Sequence, residues 1–224
     1  MNIVKIDYKN PDPKIIQRVA EVINKGGIAV VPGDAVYTIV ADAFKSESIE
    51  KVYKIKKREK GKAFSLGLYC LDDIARYGKF NPLINKIAKK FPGEPFTFVV
   101  PRNKKTVPGF LNPNYKTLGF RVPFNKVTST LSKFHRSPVI GTSANISELR
   151  NTYSIGEVME YFREIFKGEV MPDIVLDAGK LPERRPSTII EIVDRKIKII
   201  REGEIKSSFL ERKIKKLIYG NFRN

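Results

Sequence analysis

The sequence predicts a mixed α/β fold, a twisted sheet that contains antiparallel pairs and has helices packed on it. Three observations carry that reading. Short apolar runs bounded by Gly and Pro, such as Ile28-Ala29-Val30-Val31, alternate with segments whose apolar residues recur at helical spacing. The chain opens as strand, helix, strand. Near its far end, two β-rich runs are separated by Asp194-Arg195 alone, the spacing of a tight antiparallel hairpin.

A short strand at 3–7 comes first. Pro11-Asp12-Pro13 opens a helix with Ile15, Ile16, Val19, Val22 and Ile23 at helical spacing, and Gly26-Gly27 stops it. Residues 28–31 are uniformly apolar and too few for a helix, as expected of a strand buried on both faces. The next helix spans 46–57, with Ser46 as the expected N-cap and Glu47 and Glu50 near the positive end of its dipole. A strand at 64–69 follows, then a short helix at 71–77 capped by Asp72 or Asp73, and a helix at 82–91 ending at Pro92-Gly93. Strands are expected at 96–100, 117–122 and 138–141, with a helix near 126–134 between the last two. Ile155, Val158, Met159, Tyr161, Phe162 and Ile165 define a helix over 154–167, and strands at 174–176, 188–193 and 196–200 complete the set. Residues 207–224 read as a basic amphipathic tail helix, with Leu210, Ile214, Leu217 and Ile218 facing one way. Such a helix either docks on the core or contacts RNA or a partner.

With 224 residues, 42% of them hydrophobic, the chain can bury one substantial core. Forty-two Lys plus Arg against 24 Asp plus Glu give a net charge of +18, which favours a nucleotide or nucleic-acid partner. Cys70 is the sole cysteine, so the chain forms no internal disulfide, CxxC zinc knuckle or redox pair. The charged N-terminus lacks a signal-peptide core, and no apolar stretch approaches the ~20 residues a membrane helix needs. A soluble, cytoplasmic protein with no membrane partner is expected.

Two segments stand out chemically. The basic run 54–62 carries Lys54, Lys56, Arg58 and Lys62, whose N–H groups suit phosphates; its alternative is a solvated helix end. Gly141-Thr142-Ser143-Ala144-Asn145-Ile146-Ser147 follows an apolar run, and the two-residue spacing of Ser143 and Asn145 puts both side chains on one face of an extended segment. Its alternative is a Ser/Asn-rich turn or cap. If the fold brings the two together, they bound a pocket for a small anion. Arg121, at the end of a strand, is placed to receive a carboxylate. The chain has neither a GxxxxGK[ST] loop nor a GxGxxG, and its one histidine, His135, accompanies no GxSxG elbow.

In order along the chain, these segments resemble the YrdC-like family, the threonylcarbamoyl-AMP synthases, over roughly residues 13–205. Pro32-Gly33-Asp34-Ala35-Val36-Tyr37-Thr38 occupies the place of the family's Pro-Thr-Asp/Glu-Thr-x-Tyr-Gly, and Lys56-Lys57-Arg58 that of its Lys-x-Arg. Pro92-Gly93-Glu94-Pro95-Phe96-Thr97 resembles Pro-Gly-Pro-x-Thr with one residue inserted, and Leu118-Gly119-Phe120-Arg121-Val122-Pro123 resembles Val-x-Val-Arg-x-Pro. Thr142 to Ser147 matches Thr-Ser-Ala-Asn-x-Ser, and Asp177-Ala178-Gly179, Pro186-Ser187-Thr188 and Arg201-Glu202-Gly203 complete the order. The chain departs from the pattern at Gly33, Ala35 and Thr38, where the family has Thr, Thr and Gly, and at Lys57, Glu59 and Glu148. Lys-x-Arg and Ser-x-Asn survive intact, so nucleotide binding carries over better than threonine binding.

The resemblance implies an open twisted mixed sheet with a large positively charged concave surface, a YrdC-like domain over 1–205 and a tail over 206–224. It implies a nucleotidyltransferase that makes threonylcarbamoyl-AMP and pyrophosphate from L-threonine, bicarbonate and ATP, with Mg²⁺ on the triphosphate. The product then serves the threonylcarbamoyladenosine modification of tRNA through a downstream transfer complex. On this reading Lys56 and Arg58 hold phosphates with Lys54 and Lys62 as auxiliaries, and Ser143 and Asn145 fix the nucleotide and the carbamoyl region. Arg121 takes the threonine carboxylate, Ser187 lies beside the amino acid and Arg201 contacts the nucleotide, with Thr97 and Thr117 as further candidates. The alternative is a module that binds tRNA or double-stranded RNA on the same fold without synthase activity. A related domain that takes carbamoyl phosphate as its acyl donor is a third reading.

Overall fold

The computed structural model describes residues 2–122, 125–147, 149–165, 170–193 and 196–219. Among the described residues ten strands run in chain order: β1 (Asn2–Lys5), β2 (Ala29–Pro32), β3 (Tyr37–Asp42), β4 (Ser65–Gly67), β5 (Phe96–Pro101), β6 (Thr117–Arg121), β7 (Val139–Ser143), β8 (Ile174–Asp177), β9 (Thr188–Val193) and β10 (Lys196–Arg201). The helices are α1 (Pro13–Asn24), α2 (Ser46–Ile55), α3 (Ile74–Tyr77), α4 (Leu83–Lys90), α5 (Lys126–His135), α6 (Ile155–Ile165) and α7 (Ser207–Tyr219). All ten strands join one mixed sheet in the order β1-β8-β2-β3-β7-β4-β6-β5-β9-β10.

Local chemistry explains the boundaries. Asp12 caps α1 by accepting from the Lys14 amide, and Pro13 supplies the preset φ of a first helical residue. Asn125 caps α5 in the same way, accepting from the Thr128 amide. The expected Ser46 cap is not formed: Lys45 holds the cap position of α2 without a side-chain bond, and Ser46 is already helical. The expected helix at 71–77 divides into a 3₁₀ turn, Leu71–Asp73, and α3. The opening strand-helix-strand holds, but β1 and β2 do not touch; β8 lies between them, parallel to both. Periodicity could not foresee that a strand from the other end of the chain would enter there. β9 and β10 pair antiparallel with Lys196 opposite Val193; the turn residues Asp194 and Arg195 lie outside the described residues, as do Pro123, Glu148, 166–169 and the last residues of the tail.

The sheet divides the core in two. Alternate residues Ala29, Val31, Val40, Val139, Ile174 and Leu176 pack against Ile16, Val19 and Ile23 of α1 and Val127 and Leu131 of α5. On the opposite face Val30, Ile39, Leu66, Phe98, Phe120 and Ile140 meet residues of α2, α4, α6 and α7, among them Val52, Ile87, Phe162 and Leu210. The tail helix is thus docked through Leu210 and Ile214, with the Phe209 ring 6.4 Å from that of Phe91. Beyond β7, the face that α1 and α5 cover at the other end carries Ser65, Gly67, Arg121, Thr97 and Ile189, which line an open cleft. Small and polar residues at alternate strand positions therefore turn half a sheet face into a concavity.

His135, at the end of α5, is fully enclosed, with Nε2 3.5 Å from Asp42 and, among the described residues, no hydrogen bond to either ring nitrogen. Burial pushes its pKa below the usual 6.5, against the pull of Asp42, and Lys45 adds to the depression. The folded state therefore stays neutral while the unfolded chain takes up a proton below 6.5, so this stability is present above that value and is lost as pH falls past it. Urea unfolding at pH 7.5 and 5.0 is expected to show a smaller acid loss for His135→Leu than for the wild type; parallel losses would remove His135 from the acid response.

Candidate active site

The Lys-x-Arg segment is shaped by how α2 ends. The Arg58 amide bonds the Tyr53 carbonyl at 3.0 Å and the Lys57 amide bonds that of Lys54 at 3.0 Å, the paired bonds of a Schellman turn. Lys57 sits in the left-handed region at φ 44, where glycine is usual. This reversal sends Lys56 inward and carries Arg58 around to the cleft.

Lys56 is 1% exposed, and its ammonium donates to the Ser143 carbonyl (2.5 Å), the Asn145 carbonyl (2.7 Å) and Asn145 Oδ1 (3.0 Å). Burial pushes its pKa down to about 7, and Arg58 adds to the shift. Ser143 Oγ donates to Asn145 Oδ1 at 2.6 Å, and Asn145 Nδ2 donates to the carbonyls of Leu149 and Arg150. The two chemically conspicuous segments, 87 to 89 positions apart, are thus one interlocked unit. The three hydrogens of the ammonium meet three oxygens of the protein itself. Tyr37 braces the same region from β3: its hydroxyl donates to the Gly179 carbonyl (2.8 Å) and accepts from the Ala178 amide (2.9 Å).

The cleft has a volume of about 540 Å³. Arg58, Arg121 and Arg201 line it with Ser143, Thr142, Ser65, Thr97 and Ser187. Arg58 Nη2 donates to the Ala63 carbonyl at 2.8 Å and its guanidinium lies 5.0 Å from the Phe64 ring centroid, which fixes its orientation. Arg201 donates through Nε and Nη2 to the Ser187 carbonyl at 3.1 and 2.9 Å, and Ser187 Oγ lies 2.9 Å from Thr97 Oγ1. Burial and then the neighbouring Arg121 push the Arg201 pKa down, a repulsion that an anion in the cleft would relieve. Arg121 holds a carboxylate already, that of Asp34, whose Oδ1 accepts from the Asn125 amide (2.8 Å) and Nδ2 (3.0 Å). The Arg121 Nε is buried with no hydrogen-bond partner among the described residues.

Of the residues that sequence singled out, Arg58, Ser143, Thr97, Arg121, Ser187 and Arg201 line the cleft. Lys56 and Asn145 stand behind its wall and set the position of Ser143. Lys54, Lys62 and Thr117 do not line it: Lys54 is exposed on the last turn of α2, Lys62 lies 3.7 Å from Glu59, and Thr117 is at the far end of β6 opposite Pro101. Thr38, Ser65, Thr128 and Ser132 line the cleft and were not singled out as site residues. Ser65 was legible as one of the small alternate residues of β4, whereas Thr128 and Ser132 depend on where α5 docks.

The Sua5/YciO/YrdC family model, described as telomere recombination, matches residues 21–203. A putative threonylcarbamoyl-AMP synthase of Methanocaldococcus jannaschii is 34% identical over 205 residues, 91% of this chain and 93% of its own. The crystal structure of Escherichia coli YciO is similar at TM-score 0.76 and 26% identity, over 92% of this chain and 98% of that one. Sua5 of P. abyssi complexed with L-threonine shares the fold at TM-score 0.83 and 21% identity, over 95% of this chain, which spans 60% of the Sua5 chain. From the ordered motifs, the shared architecture and these matches, the chain belongs to the Sua5/YciO/YrdC family.

Proposed function

We propose that this chain is an L-threonylcarbamoyladenylate synthase, a nucleotidyltransferase that joins L-threonine, bicarbonate and ATP and releases pyrophosphate, for threonylcarbamoyladenosine formation on tRNA. The observation that carries this reading is the convergence of Arg58, Arg121 and Arg201 on one hydroxyl-lined cleft. Its one acidic lining side chain among the described residues, Asp34, is itself bound by Arg121. Such a site favours a ligand with several negative groups, as a triphosphate and an amino-acid carboxylate together provide. The synthase name of the M. jannaschii relative and the threonine complex of Sua5 support the same substrates.

The chemistry needs little covalent help from the protein. The threonine amine adds to the carbon of bicarbonate with loss of water, giving a carbamate. A carbamate oxygen then attacks the α-phosphorus and pyrophosphate leaves in line. Charge develops on phosphate oxygens, where Arg58 and Arg201 would offset it, while Arg121, held in place by Asp34, would orient the carboxylate from the cleft wall. Ser143 would position the nucleotide from a strand end that Lys56 and Asn145 hold. Mg²⁺ would enter on the ATP phosphates as part of the substrate. No helix among the described residues is long and apolar enough to cross a membrane.

The test is direct. Purified protein with labelled bicarbonate, ATP and L-threonine is expected to release pyrophosphate and form an acyl-AMP. ATP affinity without turnover, together with steeply salt-dependent RNA binding, would overturn the synthase reading in favour of the RNA-binding alternative, which rests on the +18 charge, the basic tail and the absence of the motif threonines at Gly33 and Ala35.

A further inference from the structure

The turn from β2 into β3 carries two departures from the family pattern that fit each other in space. Residue 33, a threonine in the pattern, is Gly33, and residue 38, a glycine in the pattern, is Thr38. A Cβ on Gly33 would stand 2.2 Å from Thr38 Oγ1 and 2.5 Å from the Val36 carbonyl oxygen. The φ of Gly33 is not among the left-handed ones, so its backbone does not call for glycine. Thr38, together with the turn carbonyl, is what excludes a side chain at 33. The hydroxyl that the turn lost at one position thus reappears in nearly the same place from the neighbouring strand.

Thr38 lines the cleft, and its register partner across β3 and β7 is Ser143. Its hydroxyl donates its single hydrogen to the Val36 carbonyl at 3.1 Å. What the oxygen can offer a ligand is therefore acceptance, and the matching ligand group is a donor. Asp34, one residue beyond Gly33 in the same turn, binds Arg121. The turn therefore links the cation suited to a carboxylate with an acceptor suited to a hydroxyl. Val36 and Val40 line the cleft beside Thr38 and offer apolar contact to a methyl group.

We propose that Thr38 is a specificity-determining residue of this cleft, accepting a hydrogen bond from the side-chain hydroxyl of L-threonine in place of the missing side chain at position 33. The proposal rests on the synthase reading and answers how a chain without the two motif threonines still selects a hydroxylated amino acid. Thr38→Val keeps the shape and removes the acceptor, whereas Thr38→Ser keeps the acceptor. Pyrophosphate release is measured with L-threonine and with L-2-aminobutyrate, which lacks only the hydroxyl. The wild type is expected to prefer threonine, Thr38→Val to lower the kcat/KM ratio about tenfold, and Thr38→Ser to retain it. An unchanged ratio in Thr38→Val, or a wild type without preference, overturns the proposal. The exchange of places is read separately from Tm: Gly33→Ala is expected to lower it, and Thr38→Gly in the same chain to recover part of the loss, the Val36 carbonyl remaining in the way. Strictly additive losses overturn that half. A wild type that turns over neither amino acid sinks the synthase reading and the hydroxyl contact with it, while the Tm cycle still decides whether the two positions exchanged places.

Discussion

Replacing Arg58 by alanine is expected to lower kcat/KM for ATP about 10²–10³-fold, the usual cost of removing one preorganised donor from a site where phosphate charge develops. The expectation follows from how the side chain is held. The Schellman turn at the end of α2 points it at the cleft, the Ala63 carbonyl fixes one edge, and the Phe64 ring lies 5.0 Å from its centre. Such a guanidinium loses little freedom on meeting a phosphate. Arg58→Lys retains a charge but neither the planar stack nor the fork, so it should recover only part of the loss. Calorimetry of ATP binding separates the roles: an Arg58→Ala protein with wild-type ATP affinity would remove Arg58 from the nucleotide site.

The second large effect is on stability. Lys56→Met is expected to lower unfolding free energy by about 2–4 kcal/mol, because each acceptor stranded in the interior costs about 1–3 kcal/mol and relief of the buried charge offsets part of the sum. The stranded groups are the carbonyls of Ser143 and Asn145, while the Asn145 amide oxygen keeps the hydrogen bond from Ser143 Oγ. Methionine fills the space but donates nothing. The effect carries a pH signature. With the folded pKa near 7 and that of the free side chain at 10.5, the unfolded state holds the extra proton between these values. Wild-type stability relative to Lys56→Met should therefore rise as pH climbs from 7 toward 10.5 and fall in the other direction. Urea unfolding at pH 6, 7.5 and 9 tests both points, and a pH-independent difference would show that the ammonium does not titrate in that window.

These two residues show what could be read in advance. Lys-x-Arg and Ser-x-Asn were visible as a pair of segments suited to one anionic pocket, and the structure joins them. Their division of labour was not visible. Lys56 and Arg58 are two positions apart and both basic, yet one is buried among carbonyls and the other lines the cleft, because Lys57 adopts a left-handed turn between them. Lys54 and Lys62 belong to the same run and lie off the cleft, since a charge run does not record which way each side chain faces. Thr117 and Arg121 share one strand and one sheet face, but four steps along β6 set them about 13 Å apart, so only Arg121 reaches the cleft.

The sequence by itself determined the types of most elements, though not the strand β3, together with the alternation within each strand and the ordered motifs that mark the family. Periodicity and turn chemistry are local, and local rules suffice for them. The tertiary structure alone decided the insertion of β8 between β1 and β2, the Asp34 carboxylate on Arg121, and the meeting of Thr38 with the space above Gly33. Each of these depends on which distant segments become neighbours, and pairing across tens of residues is set by the packing of the whole sheet rather than by any stretch of it.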